Sequence, residues 1–168
     1  MRGFGGWVGV SCAVMPVLFT KGDIFETGGK ALALGCNCSG AMDAGIGVAF
    51  KKRWPAMFEE YRAHCADKRF HLGDVLVWSD GAVTVYCLAI QEHWKAKAKL
   101  AALAKALRKM VQLAAAAGID RVGIPRLGTG LGGLDWGRAK SILEEVGNET
   151  PVILVVFEQF VRAAKASA

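Results

Sequence analysis

The chain has 168 residues, a length that suits one globular domain. Hydrophobic residues make up 53% and charged residues 21%, which excludes a largely disordered chain; no apolar run reaches the length of a bilayer span, so a membrane is not expected as a partner. The net charge of +6 predicts a surface that attracts anions, whether a phosphate-bearing ligand, a nucleic acid or an acidic protein.

Met1–Val14 looks like a poor signal peptide, because Gly3, Gly5, Gly6 and Gly9 interrupt its apolar run. It is expected to be an N-terminal extension without regular structure, over 1–14, with the domain proper over 15–160 and a short tail over 161–168. From there strand-like and helix-like blocks alternate. Val17–Thr20 reads as a strand and Ala31–Cys36 as a buried strand. Gly45–Arg53 and Pro55–Ala66 read as consecutive helices, with Pro55 suited to a first turn. Asp74–Trp78 and Ala82–Ala89 are strands joined through Ser79-Asp80-Gly81, a hairpin signal. Lys97–Ala117 is a long helix stopped by Gly118. Arg121–Ile124 is a strand, Asp135–Val146 a helix, and Val152–Phe157 a closing strand. This order predicts an α/β domain, a mixed sheet covered by helices on both faces.

The long helix concentrates positive charge. Lys95, Lys97, Lys99, Lys105, Arg108 and Lys109 occur without an acid among them, while Leu100, Leu103, Leu107 and Met110 form its apolar stripe. A solvated basic face accounts for this more simply than a nucleic-acid helix, since no aromatic follows Trp94 on that face. Cys12, Cys36, Cys38, Cys65 and Cys87 are odd in number, and with His64, His71 and His93 they show no metal-ligand spacing. Reduced thiols, a cytoplasmic location, no metal and no cofactor are expected.

In such folds ligands bind beyond the carboxyl ends of the strands, which directs attention to three loops. Lys21–Ile24 follows the first strand; its Asp23 can accept an adenine amine or simply cap a turn. Asn37–Gly47 joins a buried strand to a helix, and Gly45 and Gly47 let several N–H groups point at a diphosphate. Pro125–Gly133 contains Gly128-x-Gly130-x-x-Gly133, the dinucleotide fingerprint. Too little chain follows it for the rest of a dinucleotide-binding half, and Glu158 comes too late to be its acid, so a Rossmann oxidoreductase ranks last. A second phosphate-cradling loop facing the first fits better.

KGDIF (Lys21–Phe25), NCSGAMDAGIGVAFKKRWP (Asn37–Pro55), His93-Trp94, PRLGTGLGGLDW (Pro125–Trp136) and VVFE (Val155–Glu158) carry a resemblance to the macrodomain family. The branch is that of terminal ADP-ribose protein glycohydrolase and the bacterial DNA ADP-ribosyl glycohydrolase antitoxins. The resemblance implies a three-layer α/β/α fold and an ADP-ribose site. It implies that Asp23 and Ile24 hold the adenine edge, Phe157 packs on its face and Asn37 touches the distal ribose. Gly45, Ile46 and Gly47 would line the diphosphate from one side, and Gly128, Thr129, Gly130 and Leu131 from the other.

Many members of that branch carry a lysine two residues before the His-Trp pair, where this chain has Gln91. An amide forms no Schiff base and is no general base, so a lysine-type mechanism is closed unless Lys95 or Lys97 reaches in. Gln91 is the candidate catalytic residue, orienting a water while a ligand phosphate accepts the proton. The resemblance thus implies an enzyme removing mono-ADP-ribose from acidic side chains of proteins, or deacylating ADP-ribose esters. Two alternatives stay open: a non-catalytic ADP-ribose reader, and an antitoxin-like eraser of ADP-ribosylated DNA. Asp43 and Asp135 read as helix caps, and Cys36 and Cys38 as buried fillers beside the site.

Overall fold

A computed structural model describes residues 17–27, 29–128 and 132–162. The extension expected over 1–14 lies outside them, as do the last six residues of the tail. In chain order the elements are β1 (Val17–Gly22), α1 (Ile24–Thr27), β2 (Ala31–Asn37), α2 (Ile46–Arg53), α3 (Pro55–Ala66), β3 (Val75–Ser79), β4 (Thr84–Gln91), α4 (Leu100–Ala116), β5 (Arg121–Pro125), α5 (Trp136–Asn148) and β6 (Ile153–Phe160).

Among the described residues the strands form one six-stranded sheet in the order β1-β6-β5-β2-β4-β3. All neighbours are parallel except β3 and β4, which are antiparallel. The mixed sheet expected from the alternation is therefore present. Its centre is β2, buried at every position but Gly35, as a strand covered on both faces must be.

Two cores lie on opposite faces. On one, Leu103, Leu107 and Met110 of α4 and Leu143 and Val146 of α5 pack on Ala33, Leu88, Ile124 and Val156. On the other, Phe50 of α2 and Met57, Phe58 and Tyr61 of α3 pack on Leu32, Leu34, Cys87 and Phe157. Successive residues of one strand, such as Val156 and Phe157, serve different cores because side chains alternate across a sheet. Helices on both faces give the three-layer α/β/α fold.

Several boundaries differ from the expected ones. The hairpin turn is longer than Ser79-Asp80-Gly81, because Asp80 Oδ1 accepts from Ala82 N at 2.9 Å and Val83 N at 2.8 Å. Those N–H groups are lost to the ladder, and β4 starts at Thr84 rather than Ala82. The closing strand runs past Phe157 to Phe160, since β1 offers Lys21 and Gly22 as partners for Gln159 and Phe160.

The basic helix starts at Leu100 rather than Lys97. Ala98 N donates to Gly132 O and Lys99 N to Ile90 O, both at 2.8 Å. These bonds hold the chain extended against β4, and Lys99 is the N-cap with φ −110 and ψ 127. The C-terminus falls where expected: Gly118 takes φ +72 just past the helix, and Ile119 N donates back to Ala114 O at 2.9 Å.

Candidate functional site

The carboxyl ends of β1, β6, β5, β2 and β4 open into one cavity of about 720 Å³. Strand order lays out its walls. Gly22, Ile24, Phe157 and Phe160 stand at the β1–β6 end, and Asn37, Gln91 and Trp94 at the β2–β4 end. Between them the loop after β2 brings Gly45, Ile46 and Gly47, and the loop after β5 brings Arg126, Leu127, Gly128 and Gly132. Ile24, Asn37, Gly45, Ile46, Gly47, Gln91, Gly128 and Phe157, all singled out in the sequence, thus line one cavity. Thr129, Gly130 and Leu131 lie outside the described residues.

Asp23 sits between two wall residues but is turned toward its own helix. Its Oδ1 accepts from Phe25 N at 2.9 Å, and its carbonyl accepts from Glu26 N at 3.1 Å. This is the plain capping role of an aspartate after a strand. Ile24, beside it, is 1% exposed and so fixed by the core.

Asn37 shapes the first loop from within. Its Oδ1 accepts from Ser39 N, Ser39 Oγ, Ala41 N and the Tyr61 hydroxyl, at 2.9 to 3.2 Å. Its Nδ2 donates to Ala41 O at 2.8 Å. Tyr61 also donates to Asn37 O at 2.7 Å, so a helix residue distant in sequence pins the end of β2. Burial, reinforced by nearby thiols, pushes the Tyr61 phenol far above its ordinary range and keeps it a donor. Asn37 stays in the wall, but its side chain serves the loop in this arrangement.

The loop ends at Gly45, the N-cap of α2, and no side chain caps that helix. Its first N–H groups therefore stand at the wall with the positive end of the helix dipole behind them, a natural anion site. Asp43 does not cap α2 as expected; it pairs with Lys51 at 3.2 Å instead. Asp135 does cap α5, accepting from Arg138 N at 2.9 Å.

At the far end Gln91 Nε2 donates to Trp94 O at 3.2 Å and, in a short bond, to Ala96 O. The His93 carbonyl accepts from Ala96 N at 2.8 Å, and His93 Nδ1 from Lys95 N at 3.2 Å. His93 and Trp94 anchor this loop, as expected, yet Trp94 also reaches the wall and is 47% exposed. Lys95 Nζ lies 4.8 Å from the Trp94 ring centroid.

Sequence reasoning missed one cluster. Arg126 lies over the Trp136 ring with Cζ 5.0 Å from the centroid. Trp136 Nε1 and Lys140 Nζ both donate to Glu158 Oε1, at 3.2 and 3.1 Å. These two donors, Lys140 first, hold the Glu158 carboxyl below its usual range. Arg126 and Glu158 both face the cavity. Only the parallel pairing of β5 with β6 brings them together, and no local spacing announces it.

Cys36 is buried in the wall and Cys38 half-buried. Burial first, then neighbouring thiols, raises the Cys36 thiol; Cys38 is pushed up to about 11 by burial, with Cys65, Asp74 and Glu92 adding to it. Both fit the filler role. Among the described residues no group of His, Cys, Asp and Glu could hold a metal, and no helix is long and apolar enough to cross a membrane.

Comparison with known proteins gives a consistent result. The Macro domain family pattern matches residues 34–143. The chain is 32% identical over 124 residues to a DNA ADP-ribosyl glycohydrolase of Mycobacterium tuberculosis, covering 71% of this chain and 35% of that protein. It thus spans about a third of that relative's length. It is 27% identical over 144 residues to the human ADP-ribose glycohydrolase OARD1, covering 84% of this chain and 90% of that protein. Among solved structures, the macrodomain of Mycobacterium tuberculosis DarG superposes with a TM-score of 0.79 at 28% identity, covering 88% of this chain and 98% of that one. In fold, in the loops that wall its cavity and in sequence, this chain belongs to the macro domain family.

Proposed function

We propose that the cavity binds ADP-ribose and that the protein hydrolyses mono-ADP-ribose linkages to acidic side chains of proteins. One observation carries the reading: two glycine-bearing loops face each other across a single cavity with an aromatic wall at one end and Gln91 at the other. The adenine lies against Phe157 and Ile24, the diphosphate between the loops, and the distal ribose reaches Gln91. Neutral N–H groups at the start of α2 suit two buried phosphates. The names of the relatives, two of them ADP-ribose or ADP-ribosyl glycohydrolases, support the same chemistry.

Gln91 spends its Nε2 on the Trp94 and Ala96 carbonyls. The atom it offers to a water is therefore Oε1, an acceptor that orients but does not deprotonate. The water oxygen bonds to the anomeric carbon as the bond to the carboxylate oxygen breaks. The water's proton passes to a phosphate oxygen of the ligand, and the side chain leaves as a carboxylate. A carboxylate is a good leaving group, so positioning alone can accelerate the step. The test is release of ADP-ribose from a protein modified on glutamate, by the wild type and by Gln91→Ala. Release that slows at least about tenfold in the variant, with ADP-ribose affinity kept, supports the role. Calorimetric binding of ADP-ribose without any release would leave a reader instead.

A second reading has its own observation. Trp94, half-exposed at the reactive end with Lys95 against its ring, is a platform on which a nucleic-acid base can stack. It favours ADP-ribosylated DNA as the carrier, and the relative's name agrees. The same assay on a modified single strand separates the two readings, since turnover of DNA should fall steeply with salt.

A further inference from the structure

The cluster of Arg126, Trp136, Lys140 and Glu158 plays no part in that chemistry, yet two of its members face the cavity. In a ligand laid out as proposed above, a ribose must join the base at Phe157 to the diphosphate at Gly128. The wall residues flanking that span are Glu158, next after Phe157, and Arg126, two before Gly128. Glu158 is held in one place: its Oε1 takes both the Lys140 ammonium and the Trp136 indole N–H. Its side chain remains 31% exposed, and the oxygen that can accept from a ligand is Oε2.

We propose that Glu158 is a specificity-determining residue, accepting a hydrogen bond from the hydroxyls of the adenosine ribose and excluding ligands phosphorylated there. The inference rests on the ADP-ribose reading and names the ligand class more narrowly. The site takes ADP-ribose with free 2′- and 3′-hydroxyls and rejects the 2′-phosphorylated form.

The competing effect is the positive charge nearby, and geometry weakens it. Lys140 is not part of the cavity wall: its ammonium is held between Glu158 Oε1 and the Phe19 ring, 4.2 Å from the centroid. The Arg126 guanidinium is held over Trp136, its Cζ 5.0 Å from the ring centroid. A 2′-phosphate would instead meet a fixed carboxylate in a partly desolvated wall, where like charges repel more than in water. A hydroxyl meets the same carboxylate as a donor meets an ionised acceptor, the stronger class of hydrogen bond. Removing the charge while keeping the shape reverses the balance, because Arg126 and Lys140 remain.

Titration calorimetry with ADP-ribose and with 2′-phospho-ADP-ribose, on the wild type and on Glu158→Gln, decides the matter. The wild type should prefer ADP-ribose by about tenfold or more, and the variant should narrow or invert that ratio mainly by binding the phosphorylated ligand more tightly. A thermal melt confirms that the variant is folded. Equal wild-type affinity for the two ligands, or an unchanged ratio in a folded variant, overturns the inference while leaving ADP-ribose binding intact. Failure of the wild type to bind ADP-ribose at all sinks the functional reading on which it stands.

Discussion

The two loops that wall the cavity are held by different means. The loop after β2 is braced by side chains: the Asn37 amide gathers Ser39, Ala41 and the Tyr61 hydroxyl. The described part of the loop after β5 is braced by backbone: Leu134 N donates to Gly128 O and Ala98 N to Gly132 O, both at 2.8 Å. A loop built on side chains can lose one bond and keep the rest. A loop built on closely approaching backbone tolerates no added atom at the point of approach.

The sharpest way to break the contrast is Gly132→Ala. A Cβ there would sit 2.7 Å from Gly128 O and 3.1 Å from Ala98 Cβ, and a carbonyl cannot swing aside as a side-chain end can. We expect a stability loss of about 1–3 kcal/mol in urea unfolding, and a larger fall in ADP-ribose affinity than any single change in the first loop gives. An alanine variant that binds normally would show that the second loop has slack.

Tyr61→Phe tests the other loop, with a smaller expected effect. Asn37 Oδ1 would keep Ser39 and Ala41 as donors, while the Asn37 carbonyl would lose its 2.7 Å bond and keep the weak Cys65 thiol at 3.9 Å. The cost should be about 1–2 kcal/mol by chemical denaturation, a lost bond plus a poorly satisfied carbonyl, with a modest weakening of ligand binding. A loss well beyond that would mean the loop collapses as a unit.

The smallest effect concerns Cys38 in the first loop. Its thiol pKa is raised to about 11, first by burial. The neutral thiol is therefore favoured in the folded state. The stability tied to it is present below the ordinary thiol value and fades as pH rises toward 11. Alkylation of Cys38 followed by mass spectrometry should be slow at neutral pH and quicken only in strong alkali or on unfolding. Rapid labelling at neutral pH would show that the braced loop opens.

The contrast also explains what could be read in advance. The alternating strands and helices, the caps at Asp135 and Gly118 and the two glycine-bearing loops are local patterns, and each is visible within a short window of sequence. The strand order β1-β6-β5-β2-β4-β3 is not local, so the meeting of Trp136 and Lys140 with Glu158 was invisible. The bracing of the first loop through Asn37 was not legible either, because one of its partners, Tyr61, lies 24 residues away. Lys97–Lys99 looked helical because nothing nearby betrays the two strand-like bonds that hold it extended. Asp43 looked like a cap because the lysine it pairs with lies in the helix beyond.

That extended stretch has a practical consequence. The amide proton of Ala98 is clasped by the carbonyl of Gly132, while that of Lys99, its neighbour, is clasped by Ile90 in the sheet. Adjacent amides thus report on two different bodies, one on a wall of the cavity and the other on the framework. In hydrogen–deuterium exchange, the ratio of their rates would serve as an internal gauge of the Gly132 contact. A ligand that tightens that contact would slow Ala98 and leave Lys99 as its reference.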